Sequence, residues 1–238
     1  GLGDVYKRQI RSFKTQHELE LIRLSTKIAE NSIKKVLEEL KKGVTEKEMV
    51  SILRKTMIDN EAIPYLWFIG FGSESALTDR EPTDRILQDG DLVVFDVGCN
   101  YKGYYSDIGR TAVVGSPNPR QIEYYKAIRA GQEAAINIIK PGILAKEVFQ
   151  VAVKTVRNNG ITQFKRHHCG HSTGIEPYDL PLIAPGCEIE LEEDMVVNIE
   201  TPYYEMGFGG LQIEDTFIIT KNGIERISKA ITQELIRK

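Results

Sequence analysis

The 238-residue chain has no apolar run near the ~18 residues that a membrane-spanning helix needs, and its opening residues lack the charged, apolar and small-residue regions of a secretory signal. These absences argue against a membrane-spanning helical protein and make the cytoplasm the expected compartment. Cysteine is scarce. Cys99, Cys169 and Cys187 form an odd set without CxxC spacing, which argues against a disulfide framework or a zinc-thiolate cluster and predicts reduced thiols. An excess of charge of one sign is missing too. With 31 basic against 34 acidic residues, a formal charge of -3 and no long like-charged run, nothing favours nucleic acid or an anionic membrane as a partner. A short peptide or another small molecule is the expected partner.

The composition is ordinary for a globular protein, 41% apolar and 27% charged, at a length near the upper limit for one hydrophobic core. One domain over residues 10–238 is expected. The first nine residues, GLGDVYKRQ, stand apart: they lack an initiator methionine and do not join the amphipathic pattern that follows. They read as a translated adapter or an expression scar, with an upstream N-terminal domain expected to be missing.

From Thr15 to Lys42, apolar residues recur at three- and four-residue steps through Leu19, Ile22, Ile28, Ile33, Val36, Leu37 and Leu40, the pattern of one or two amphipathic helices stopped by Gly43. Thr45 with Glu48 forms a capping box that opens a second helix to about Asn60. The same plan returns 99 residues later, because GVTEKEMVSILRKTMIDN aligns without a gap on GILAKEVFQVAVKTVRNN. Gly43, Lys47, Glu48, Lys55, Thr56 and Asn60 are matched identically by Gly142, Lys146, Glu147, Lys154, Thr155 and Asn159. Two occurrences of so long a period predict two related half-domains.

Each helix pair is followed by two strand-like runs carrying acids. In DLVVFDVGCNYKGYYSDIGRT, a turn centred between Tyr101 and Lys102 sets Asp96 directly opposite Asp107. Opposed residues hold their Cβ atoms roughly 4.5–5.5 Å apart, where two carboxylates repel unless a cation lies between them. In the second half, a turn centred on Gly207 sets Glu200 opposite Glu214. One hairpin acid is most simply a solvated surface group; two opposed pairs at corresponding places in a repeat point to a metal site. Between the second helix pair and its hairpin, FKRHHCGHSTG holds His167, His168 and His171 in a Gly- and Pro-rich stretch. Imidazole with carboxylates suits zinc, manganese, cobalt or iron. His168 is expected to be a satisfied core residue.

Asp96, Asp107, His171, Glu200 and Glu214, in that order and with the flanking motifs FDVG, YSDIGRT, HxxGHxxG, IETPYY and QIEDTFIIT, resemble the five metal ligands of the prolidase, methionine aminopeptidase and creatinase superfamily, closest to its Xaa-Pro peptidase-like branch. The resemblance implies an α+β pita-bread fold of two pseudo-symmetric halves around two divalent ions, manganese foremost. It also implies that Asp107 and Glu214 bridge the ions, with Asp96 on one and His171 and Glu200 on the other. A bridging water would attack an amide carbonyl while Glu200 handles the proton. His167 matches the prolidase-like branch. A homodimer is usual there when an N-terminal domain is present.

Other positions depart from the pattern. Asp79 stands where a histidine is expected before the first metal strand, Tyr178 where a second is expected after His171, and Gln212 where an arginine is favoured before the last glutamate. Asp79 could receive a cationic group and Tyr178 could donate to the developing oxyanion; as loop cap and wall packing they would have no such role. Intact ligands with altered recognition residues leave three readings: an Xaa-Pro metallopeptidase, an amidohydrolase of a small nitrogenous metabolite resembling creatinase or ectoine hydrolase, and a non-catalytic binding module.

Overall fold

In the computed structural model, which describes residues 2–78 and 80–238 and the side chains of 6–78 and 80–238, the sequence repeat becomes two halves of one sheet backed by helices. The first half runs α1 (Leu2–Ser12), α2 (Gln16–Glu39), α3 (Glu46–Asp59), β1 (Ile63–Phe71), β2 (Leu92–Tyr101), β3 (Tyr104–Tyr105) and β4 (Ile108–Val113). The second runs α4 (Pro119–Ile138), α5 (Ala145–Asn158), β5 (Gly170–Ser172), β6 (Asp179–Leu182), β7 (Val196–Glu200), β8 (Tyr203–Glu205), β9 (Gly209–Leu211), β10 (Glu214–Thr220), β11 (Gly223–Arg226) and β12 (Ile236–Arg237).

Local chemistry sets the helix starts. Thr45 accepts from the Glu48 N–H while the Glu48 carboxylate accepts the Thr45 N–H at 2.7 Å, and Thr15 with Glu18 repeats the device ahead of α2. Gly43 and Gly142, with φ of +98° and +90°, turn the chain into α3 and α5. These two helices have equal length and keep the 99-residue offset, and Asn60 and Asn159 close them by donating to the Thr56 and Thr155 carbonyls, both at 2.8 Å.

The main path of the sheet runs β1-β2-β4-β10-β7-β5-β6, first-half strands then second-half strands, with the seam between β4 and β10. Alternation along each strand divides core from site. Phe95 and Val97 join Ile33, Val36 and Leu53 beneath α2 and α3, while Val197 and Ile199 join Ile128, Val148 and Ala152 beneath α4 and α5. The residues between them, Asp96 and Asn198, point to the opposite face.

The second hairpin has the expected register, Glu214 paired with Glu200. The first does not: Asp96 pairs with Gly109 rather than Asp107. Its turn is Lys102-Gly103, with φ of +51° and +92°, and the Gly103 N–H donates to Asn100 Oδ1 at 2.9 Å. A two-residue hairpin turn favours positive φ at both central positions, which suits glycine at the second. The turn centre therefore lies one residue beyond the expected place and the pairing slides by two. A slide of two preserves faces, so Asp107 still points to the same side as Asp96.

At the seam the backbone register shows one pair, Glu214 with Gly109. A buried guanidinium reinforces it. Arg110 donates to the Gly109 and Glu214 carbonyls at 2.7 and 2.6 Å and to Asp215 Oδ1 at 2.6 Å, and Asp215 also accepts from Ser228, Gln132 and Gln233. All three cysteines are free, and among the described residues no helix is long and apolar enough to cross a membrane.

Candidate metal centre

Asp96, Gly109, Glu214 and Glu200 lie on one rung across β2, β4, β10 and β7, so their side-chain positions share a face. Gly109 leaves a gap in that row. A Cβ there would collide with the Gln212 side chain, which fills the space. His171 pairs with Asn198, two residues before Glu200, and Asp107 lies two residues before Gly109; parity puts both on the same face.

Asp107, His171 and Glu214 are buried and offer ligand atoms within 4.8 Å of one another. His171 Nε2 lies 3.6 Å from Asp107 Oδ2 and 3.8 Å from Glu214 Oε1, while its Nδ1 faces the Ser172 carbonyl at 3.1 Å. Burial, then the charges of Asp96 and Glu200, push the Asp107 carboxyl well above its ordinary range. Burial, then Asp107, does the same to Glu214. Burial lowers His171 to about 4, so it is neutral and able to ligate. Asp107 Oδ1 and Glu214 Oε1 are buried without a hydrogen-bond partner, an arrangement that costs free energy unless a cation occupies the space between them. The donor set fits divalent metal.

Glu200 behaves differently. Burial alone would raise it, but His168 Nδ1 at 3.0 Å from Oε1 and Arg166 Nη2 at 3.5 Å from Oε2 outweigh burial and bring it down to about 2. Gln212 Nε2 reaches the same Oε2 at 3.4 Å and Glu214 Oε2 at 3.4 Å. His168, expected to be a satisfied core residue, is thus buried but set against the Glu200 carboxylate. Arg166 went unnoticed in the sequence; its place in the FKRHHCGH cluster was the available signal.

Tyr178 stacks on His171, with ring centroids 3.9 Å apart and planes 19° apart, and is still 53% exposed. His167 is exposed and meets His168 edge to face at 4.3 Å. Tyr65 and Tyr204 complete the surroundings: burial, then Asp107 for Tyr65 and Asp96 for Tyr204, raise both phenols, which stay protonated. Asp79 lies outside the described residues.

A sequence profile described as metallopeptidase family M24 matches residues 20–221, which include every group just described. The chain belongs to metallopeptidase family M24. Among its M24 relatives, the Xaa-Pro dipeptidase of Pyrococcus furiosus is 37% identical over 230 residues, covering 96% of this chain and 66% of the relative. The Xaa-Pro dipeptidase of Lactobacillus delbrueckii subsp. lactis is 35% identical, with coverage of 91% and 60%. The chain therefore spans less than two thirds of the length of these relatives. Among solved structures, the prolidase from Pyrococcus furiosus superposes with a TM-score of 0.92 at 36% identity, covering 96% of this chain and 68% of that one. The X-Pro aminopeptidase from Thermotoga maritima gives 0.93 at 28% identity, with coverage of 99% and 67%. The M24 architecture is the α+β pita-bread fold, and membership of a metallopeptidase family implies divalent metal ions.

Proposed function

We propose that the chain is a metal-dependent hydrolase of the amide bond in short peptides that carry proline after the scissile bond. The observation that carries this reading is the buried Asp107–His171–Glu214 cluster, with carboxylate oxygens left unpaired on the face of an M24 sheet. The names of the dipeptidase relatives supply the substrate class.

Asp96, Asp107, His171, Glu200 and Glu214 would hold two divalent ions, manganese foremost because most donors are carboxylate oxygens, with Asp107 and Glu214 as the shared ligands. When bound, such ions lower the pKa of water toward neutrality and polarise a carbonyl. Glu200, kept ionised by His168 and Arg166, takes the proton of the attacking water and returns it to the departing amine. The Tyr178 phenol, protonated and half exposed over His171, donates to the carbonyl oxygen as negative charge develops there. His167, at the exposed rim, meets the far end of the substrate.

The test is a panel of Xaa-Pro dipeptides beside creatine and ectoine, with manganese added and metal content measured. Turnover of dipeptides that Glu200→Gln abolishes is the expected result. Turnover of creatine or ectoine alone would assign the chain to small-metabolite amide hydrolysis, and no bound metal after reconstitution would make it a binding module.

A further inference from the structure

Tyr178 is half exposed, on a segment without regular structure between β5 and β6, and yet lies flat on the metal-site histidine. Stacking alone is worth only about 0.5–1.5 kcal/mol beyond the area buried, too little to order an open segment. The restraint comes from the two flanks of the tyrosine. Arg11, in the last turn of α1, donates through Nη1 to Glu176 Oε1 at 2.9 Å and through Nη2 to Asp179 Oδ1 at 3.0 Å. One guanidinium therefore grips the residues two before and one after Tyr178. Asp179 is the firm end of this grip, since its side chain is 1% exposed while that of Glu176 is 46% exposed.

The next residues continue the strap. Lys14 Nζ, buried, donates to Ser172 Oγ at 3.0 Å, immediately after His171, and to the Ser12 carbonyl at 3.2 Å. The Gly174 carbonyl is held by the Tyr105 N–H at 2.8 Å, and the Gly174 N–H closes a turn on the Glu176 carbonyl at 3.1 Å. The segment is thus fixed at 172, 174, 176 and 179, leaving the Tyr178 ring to project between anchors.

We propose that Arg11 is a positioning residue that acts through Tyr178: its fork onto Glu176 and Asp179 sets the phenol at the fixed height above His171 from which it meets the substrate. This rests on the amide-hydrolase reading for the meaning of the phenol, though not for its placement. A planar fork suits the task because it fixes two carboxylates at a set separation, which one ammonium point charge cannot do.

The test has two readouts. With the metal-loaded chain and an Xaa-Pro dipeptide, Arg11→Ala lowers kcat about tenfold and leaves KM within about threefold, and Arg11→Lys recovers only part of the loss. In a Tyr178→Ala background, Arg11→Ala adds nothing further, because both changes remove the same contact. In the metal-free chain, the ring-proton resonances of His171, shifted by the stacked phenol, move in Arg11→Ala to the position they take in Tyr178→Ala. A lowered melting temperature with kcat and those resonances unchanged would overturn the proposal, as would effects of the two substitutions that multiply. If the wild-type chain turns over no dipeptide while the resonances still move as stated, the functional reading fails and the strap stands. Should Arg11→Ala not fold, Glu176→Ala, which removes one arm of the fork and keeps the buried Asp179 pair, decides by the same readouts.

Discussion

The two halves repeat their helices closely and their chemistry only in part. On β2, the site-facing residue next to Asp96 is Val94, paired with Gly70; on β7, the site-facing residue next to Glu200 is Asn198, paired with His171. Gly70 therefore occupies the place in the first half that His171 occupies in the second. A Cβ at Gly70 would lie 2.5 Å from a Phe68 ring carbon and 3.0 Å from Ser75 Cα, so no imidazole fits there. The first half gives two carboxylates and packs the third place with backbone; the second gives two carboxylates and a nitrogen. The helical frame can be duplicated with little change, because it must only bury an apolar stripe, while each position on the site face depends on what its neighbours leave open.

Removing the second half's distinctive imidazole should break the comparison most severely. His171→Ala should lower kcat/KM by roughly 10³-fold through lost metal, several kcal/mol of transition-state stabilisation, checked by turnover and elemental analysis together. The seam comes next. Arg110→Ala would leave Asp215 charged and buried and cost about 3–5 kcal/mol, read from urea unfolding, whereas surface pairs such as Lys35–Glu38 should cost almost nothing. Asp107 comes from one half and His171 and Glu214 from the other; if this cluster holds the metal, saturating metal at about 100 times its Kd should raise the melting temperature by about 5–10 °C and a chelator should reverse it. A melting temperature indifferent to metal would mean that the ligands do not close around an ion.

The smallest effect distinguishes the helices. Glu46 opens α3 as a buried carboxylate, where the repeat places Ala145 in α5. Burial would raise it, but the Arg80 fork at 2.6 Å, the Thr83 N–H and hydroxyl, and the Phe71 N–H lower its pKa on balance. The unfolded chain then binds the extra proton. Stability from this group is present above the ordinary glutamate range and is lost as pH falls through the lowered folded value. Glu46→Gln should flatten the acid limb of stability against pH; an unchanged limb would assign acid sensitivity elsewhere.

The sequence held those parts of the fold and site that local chemistry determines. The capping box of Thr45 and Glu48, the 99-residue offset of α3 and α5, and the facing of Glu200 and Glu214 across a glycine turn all follow from residues near one another in the chain. The first hairpin slid by two because the choice between Tyr101-Lys102 and Lys102-Gly103 as turn centre depends on φ, which only the glycine signals. His168 and Arg166 converge on Glu200 only because β5 lies beside β7, a pairing with no local signature. The Arg11 fork spans more than 160 positions and was invisible for the same reason.

The seam between β4 and β10 has one further consequence. Asp107 stands on its near side, and His171 and Glu214 lie beyond it. A chain still leaving the ribosome displays Asp96 and Asp107 long before the imidazole and the last carboxylate exist. Such a fragment owns acids without the His171 imidazole, so the buried cluster of Asp107, His171 and Glu214 comes into being only when the far side of the sheet docks against the near one.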